Sequence, residues 1–315
     1  MFSVGGGIPG QLEPAVWGDT VVWRTNRNGN WKVYATGFRT GEETPVSSNP
    51  ALQKEGAISG HYVVWTDARN HPSGVPPEYG NRDIYGLDLQ TMQEFPICTA
   101  PHDQLYPDIS GNIVVWQDER RRILPFKPPW PPPEIYGYDL TTGQEFLIAT
   151  DPDWPLWTPA ISGDIVVWSR GGKDIWGKDL PTGEVFPVHV GEGSQQDPDI
   201  DGRWVVWEDW RESGQGIWAH DLLTGAEFPI YVDEGSQQYP HQKWPKVSGN
   251  LVVWESELNG QTGSSARTSP SRRAACCWRV ECCSCGGGGR HRLDPEKRSP
   301  GQPGVALAKP EPPSN

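Results

Sequence analysis

The densest group of hard ligands in this 315-residue chain is Asp197-Pro198-Asp199-Ile200-Asp201. Strand alternation would turn Asp197, Asp199 and Asp201 to one side. Three carboxylates so placed suit Ca²⁺, although ligands from elsewhere in the chain would be needed to complete the shell. A second group mixes aromatic rings with acids: Tyr79, Trp130, Trp154, Trp157, Trp210, Tyr239 and Trp244 stand in loop-like segments beside Asp151, Asp153, Glu192, Asp197, Asp233 and Glu234. Exposed Trp and Tyr stack on sugar rings or anchor a protein partner. The alternative is that these rings pack over loop backbone and cap the sheets beneath. Gln104 and Gln195 belong to a recurring series with Gln11, Gln53 and Gln242. They either meet a ligand at a shared mouth or satisfy loop backbone groups.

Nothing in the chain marks a nucleophile. The seven His are scattered without metal spacing, and neither Gly-x-Ser-x-Gly nor Ser-x-x-Lys occurs. No catalytic residue is assigned, and no cofactor is expected beyond calcium. A glycosidase-like site would need two loop carboxyls about 5–10 Å apart. Five of the six Cys lie beyond residue 258, as Cys276-Cys277, Cys282-Cys283 and Cys285. Adjacent pairs do not match the Cys-x-x-Cys spacing of structural zinc sites.

The elements that would position these groups are visible in a repeat. Six times a Gly precedes by five residues the Trp of a Val-Val-Trp triplet: Gly18/Trp23, Gly60/Trp65, Gly111/Trp116, Gly163/Trp168, Gly202/Trp207 and Gly249/Trp254. Intervals of 39 to 52 residues are the length of a four-stranded unit. Within each copy a short strand ends at the Gly turn, and the β-branched run that follows suits a sheet covered on both sides. A third strand alternates, as in Asp83-Ile84-Tyr85-Gly86-Leu87-Asp88, and Thr-Gly turns lead into a fourth such as Glu145-Phe146-Leu147-Ile148. Six such units predict an all-β fold, a β-propeller of four-stranded blades. Phe2-Ser3-Val4 reads as an orphan fourth strand that would close the last blade. That blade is expected to be incomplete, because no Asp-Ile-Tyr-Gly segment follows Trp254.

Pro107-Asp108-Ile109-Ser110-Gly111, Val114-Val115-Trp116-Gln117-Asp118-Glu119-Arg120 and Ile135-Tyr136-Gly137-Tyr138-Asp139-Leu140-Thr141-Thr142-Gly143 resemble the TolB-like propeller repeats of bacterial and archaeal periplasmic and cell-surface proteins. The resemblance covers roughly residues 1 to 256. It implies a scaffold that binds proteins or saccharides, in a periplasmic or extracellular location, and some relatives of this fold are lyases or hydrolases. Met1-Phe2-Ser3-Val4-Gly5 has neither a basic nor an apolar leader region, so no export signal is expected there.

The domain expectation is a propeller over 1–258 and a low-complexity, disordered tail over 259–315. The tail carries nine Lys/Arg and four Asp/Glu, which leaves eighteen positive and thirty-six negative charges in the repeats. A body that acidic repels nucleic acid. No apolar stretch is long enough to span a membrane. A single copy docking a protein or polysaccharide is therefore expected, with a glycan-active lyase or glycosidase and an inactive, frame-shifted product as alternatives. Length variation falls on the second-to-third strand loops and the blade-to-blade segments, which share one face, and binding is expected on that face.

Overall fold

A computed structural model of the chain describes residues 11–37, 41–72, 80–122, 131–211, 214–232, 242–249, 251–257 and 273–279. The first sheet holds β1 (Gln11–Trp17), β2 (Thr20–Thr25), β3 (Lys32–Gly37) and β4 (Glu43–Pro45); the second β5 (Gln53–Ser59), β6 (Tyr62–Asp67), β7 (Asp83–Asp88) and β8 (Gln93–Cys98). The third holds β9 (Gln104–Ser110), β10 (Ile113–Asp118), β11 (Glu134–Asp139) and β12 (Gln144–Ala149). The fourth is β13 (Leu156–Ser162), β14 (Ile165–Arg170), β15 (Asp174–Asp179) and β16 (Val185–Val190). In the fifth are β17 (Gln195–Asp201), β18 (Trp204–Arg211), β19 (Gly214–Asp221) and β20 (Ala226–Val232). The sixth has three strands, β21 (Gln242–Ser248), β22 (Leu251–Glu257) and β23 (Arg273–Arg279). Every sheet is an antiparallel meander in sequence order, and no helix occurs among the described residues. The molecule is an all-β propeller of five complete four-stranded blades and a partial sixth.

Each repeated residue has a local reason. The turn glycines Gly18, Gly60, Gly111, Gly163, Gly202 and Gly249 all sit at φ between 55° and 60°, the left-handed region that a side chain penalises. Val63, Val64 and Trp65 have no exposed surface, as have Val114, Val115 and Trp116, because each second strand is covered by blades on both sides. In the third strand, a Cβ on Gly86, Gly137 or Gly177 would lie 2.8, 2.8 or 2.7 Å from the ring of Phe95, Phe146 or Phe186. The missing side chain is what lets the fourth-strand Phe lie flat.

The core is divided into slabs between blades. Ile58, Val63 and Trp65 of the second blade pack on Val22 and Val33 of the first, and Ile109, Val114 and Trp116 of the third on Val64, Ile84 and Ile97 of the second. The same pattern runs to Val247, Val252 and Trp254 of the sixth, packed on Val206 and Ile217 of the fifth. Polar clasps cross the same joints. The Ser59 hydroxyl accepts from Gly111 N at 3.0 Å, Ser110 from Gly163 N and Ser162 from Gly202 N at 2.9 Å, and the Asp201 carboxylate from Gly249 N at 2.5 Å.

Within blades two, three and five, the Trp-x-Asp-x-Arg run is a brace. The indole N–H groups of Trp65, Trp116 and Trp207 donate to Asp67, Asp118 and Asp209 at 2.8 to 2.9 Å. Those carboxylates hold Arg69, Arg120 and Arg211, whose guanidinium groups lie 3.6 to 3.9 Å from the ring centres of Tyr85, Tyr136 and Trp218. The result is an ion pair within the blade, extended by an indole and an aromatic face.

The described residues include one further strand near the end of the chain. The strand Arg273–Arg279 lies beyond residue 258, where a disordered tail was expected to begin, and pairs with β22 from Leu251↔Arg279 to Glu257↔Arg273. Ala274-Ala275-Cys276-Cys277-Trp278 is an apolar stretch of strand length, and the bare edge of β22 offers it a ladder. Phe2-Ser3-Val4, Cys282, Cys283 and Cys285 lie outside the described residues.

Candidate functional site

The first strands of successive blades lie against one another, the position that lines the central channel of a propeller, and each carries an irregularity at the same place. Pairing shifts between Leu12 and Ala15, Lys54 and Ala57, Gln196 and Asp199, and Lys243 and Lys246, with matching shifts in β9 and β13. At each shift stands a non-glycine residue with φ between 47° and 54°: Glu13, Glu55, Tyr106, Thr158, Asp197 and Trp244. The following residue is Pro in five blades and Gly56 in the sixth case. Proline within a sheet is tolerated at such bulges because no ladder donor is needed there.

The bulge N–H is used between blades. Glu55 N donates to Glu13 at 3.2 Å, Tyr106 N to Glu55 at 2.9 Å, Thr158 N to Gln117 at 3.4 Å and Trp244 N to Glu208 at 2.7 Å. Glu13 also meets Arg24 at 2.7 Å and Glu55 the hydroxyl of Thr66 at 2.7 Å. Most acids of this ring thus have a structural task.

The joint between blades five and six is different, because two carboxyls meet there. Asp197 from the bulge of β17 and Glu208 from β18 share a hydrogen bond, and a cleft of about 390 Å³ opens above them, lined also by Ser194, Gln196, Trp210, Lys243 and Trp244. Burial, then the Asp197 charge, push the Glu208 carboxyl up to about 8, against the Trp244 N–H, Lys243 and a hydrogen bond from the Trp210 side chain. Burial also raises Asp197, opposed by Lys246 and by bonds with Glu208 and Thr158. The pair therefore keeps one proton at neutral pH. Trp210 and Trp244 on the two walls are each 39% exposed.

Deeper in the channel, the Asp199 carboxylate accepts from Lys246 Nζ at 2.9 Å and from Val247 N at 2.7 Å. Asp108 from blade three accepts from Ile161 N at 2.8 Å, and burial pushes it up to about 6 while Lys246 pulls it down. Lys246 touches solvent along the channel yet is held in its charged form by Asp199 and Asp108.

The sequence-derived residues fall into distinct places. Asp197, Asp199 and Asp201 do not converge: the bulge between Gln196 and Asp199 breaks the alternation, and the three carboxyls meet Glu208, Lys246 and Gly249 N respectively. Among the described residues no three His, Cys, Asp or Glu side chains form a group fit for a metal ion. Gln104 and Gln195 have no exposed surface, and their amide groups donate to the carbonyls of Pro101 and Glu192 at 3.3 and 2.9 Å. Each amide nitrogen thus serves the backbone, while the Oε1 atoms of both are buried without a hydrogen-bond partner. Trp154, 36% exposed, lies against Gly171, where a Cβ would come within 2.4 Å of its ring, and Trp157 covers Gly172. Trp210 and Trp244 flank the cleft, while Tyr79, Trp130 and Tyr239 lie outside the described residues. Glu208, Lys243 and Lys246 were not singled out from sequence. The column after each Val-Val-Trp reads Arg24, Thr66, Gln117, Ser169, Glu208, Glu255, and that break in the repeat was the available signal.

Solved structures share this architecture. TolB from Acinetobacter baumannii superposes with a TM-score of 0.52 at 18% identity, covering 71% of this chain and 55% of that one. The chain has a TolB-like propeller fold. An oligogalacturonate lyase in complex with manganese gives a TM-score of 0.50 at 14% identity over 75% of this chain and 67% of the lyase. The acylaminoacyl peptidase of Pyrococcus horikoshii gives 0.58 at 12% over 86% of this chain and 44% of the peptidase. The chain thus spans about half the length of TolB and less of the peptidase, and the likeness is one of fold. No family profile matches the sequence, and no curated protein matches it.

Proposed function

We propose that this protein is a non-enzymatic binding or scaffold propeller that docks a protein or polysaccharide on the face bearing its long loops. The observation that carries the reading is the cleft between blades five and six, where the half-exposed Trp210 and Trp244 stand over polar groups on the loop face. Large aromatic rings left accessible on a rigid scaffold are typical anchors for a ligand. The test is retention of the wild-type chain on arrays of glycans and of cell-envelope proteins, beside the triple variant Trp154→Ala, Trp210→Ala, Trp244→Ala. Equal retention of the two would refute the loop face as the docking surface. A periplasmic or cell-surface location accords with the TolB-like repeats, and fractionation of the producing cell checks it.

The glycan-cleaving alternative draws on the same carboxyl pair but is less well supported. Asp197 and Glu208 are within hydrogen-bonding contact, whereas acid and nucleophile, or acid and base, need about 5 Å or more between them to admit a sugar carbon or a water. Release of reducing ends from a glycan by the full chain, abolished in Glu208→Gln, would reverse that preference.

Ring closure by the N-terminal residues belongs to the same proposal, since the binding face requires a fixed ring. Val16 is 56% exposed, while its counterparts Ile58, Ile109, Ile161, Ile200 and Val247 are 4 to 8% exposed against a preceding blade. The fourth-strand Phe95 and Phe186 stand nine residues before Gln104 and Gln195, and Phe2 stands nine before Gln11. Deletion of residues 1–10 should lower the melting temperature, and an unchanged melt would argue against this closure.

A further inference from the structure

The cleft between blades five and six also indicates which kind of ligand it takes, an inference that rests on the loop-face reading above. Its lining brings together Trp210, Trp244, the Asp197 and Glu208 carboxyls and Lys243. A volume of about 390 Å³ lies within the roughly 300–1,000 Å³ of small-ligand sites, and a concave site of that size differs from a flat protein-docking patch. We propose that this cleft is a subsite for a neutral pyranose of a glycan chain, stacked on Trp244 and Trp210 and hydrogen-bonded through its hydroxyls to Asp197, Glu208, Gln196 and Lys243.

Three observations support that assignment. Two indole rings in the lining of the cleft offer apolar surface to the C–H faces of a pyranose, while the donors and acceptors beside them match its hydroxyl rim. The walls are held in place beforehand. Trp244 sits on the bulge with φ of 51° and its N–H bonded to Glu208, and the chain at Gly193 passes so close to the Trp210 carbonyl that a Cβ there would stand 2.4 Å away. Little ordering cost is then left to binding. Local charge provides the third. With one proton retained by the carboxyl pair, the remaining negative charge faces the Lys243 ammonium, and below it Lys246 is engaged by Asp199. Such a balance suits a neutral sugar better than a uronate, which would meet the carboxyl pair, or a basic peptide, which would meet Lys243 and Lys246.

The experiment is calorimetric titration, with tryptophan fluorescence, of the full chain at pH 7 with neutral gluco-, manno- and xylo-oligosaccharides, an oligogalacturonate and a Lys/Arg-rich peptide. At least one neutral series should bind and alter the fluorescence, Trp244→Ala and separately Trp210→Ala should weaken it about tenfold or more, and Leu223→Ala on a distant exposed turn should leave it intact. Trp244→Phe retains an aromatic face and should retain most of the affinity, which guards against a folding defect at the bulge. Failure of every neutral series, stronger binding of the uronate or the basic peptide, or indifference to both Trp substitutions would overturn the assignment. A defined envelope protein retained by the loop face in the absence of any glycan binding would overturn the sugar subsite while leaving the docking-face reading standing.

Discussion

Replacing Asp118 with alanine should be among the most damaging single changes in the body of the propeller. Its side chain has no exposed surface and accepts four hydrogen bonds: the Trp116 indole at 2.8 Å, Arg120 N at 2.8 Å, Arg120 Nε at 2.8 Å and an Arg120 terminal nitrogen at 2.7 Å. Removing one partner of a buried ion pair costs about 3–5 kcal/mol, and a stranded buried indole donor adds about 1–3 kcal/mol. Arg120 keeps Glu145 at 2.5 Å and its side chain is 21% exposed, so its own loss is cushioned. The expected total is about 4–5 kcal/mol, in the lower part of the combined range of about 4–8 kcal/mol. Urea unfolding followed by tryptophan fluorescence, at constant denaturant slope, measures it. A double-mutant cycle with Arg120→Met should show coupling above about 1 kcal/mol. A loss below about 1 kcal/mol, or additive single effects, would refute the account of the brace. Blade one already illustrates a weakened version: Thr25 stands in the aspartate position, and the Trp23 indole N–H is buried without a hydrogen-bond partner.

Three further outcomes are expected. Glu208 has a folded-state pKa raised from 4.5 to about 8, so its neutral form favours the fold below about pH 4.5 and that contribution is lost as pH rises through about 8; melting temperature should fall over that window in the wild type and fall less in Glu208→Gln, and parallel profiles would disprove it. Gly137→Ala places a Cβ 2.8 Å from Phe146 and 2.9 Å from Ile148 and should destabilise by about 1–3 kcal/mol in urea titration, with recovery in Gly137→Ala/Phe146→Leu; a loss confined to the single variant's expression level would not fit. Truncation after residue 258 removes the strand paired with β22, and the shortened chain should melt below the full chain in calorimetry; equal melts would show that β23 contributes nothing.

Most of the architecture was legible because the repeat states each requirement six times. Gly18 and its five counterparts mark left-handed turns, and the Val-Val-Trp runs mark doubly covered strands. The candidate site was harder to see for the converse reason: its residues depart from the repeat. Asp197 and Glu208 occupy columns in which other blades carry Glu13, Thr158, Thr66 or Ser169, and only the fold brings the two columns together across β17 and β18. Asp197, Asp199 and Asp201 part because the strand bulges at Pro198, through which strict alternation had been carried. Proline inside every first strand except β5 was the cue that alternation stops there. Gln104 and Gln195 were visible as a series, but a series shared by most blades serves the scaffold, as their buried amides do.

The division of the core into slabs has a consequence for how the chain tolerates change. Each slab depends on two neighbouring blades and on no others, so stability accumulates by nearest-neighbour coupling, as along a one-dimensional array. Damage at one joint should fray the molecule from its nearer end and leave distant joints intact. Blades of this kind can be gained or lost over evolution without redesign of the remainder. A chain whose repeat breaks off after Trp254 can therefore retain five well-formed blades.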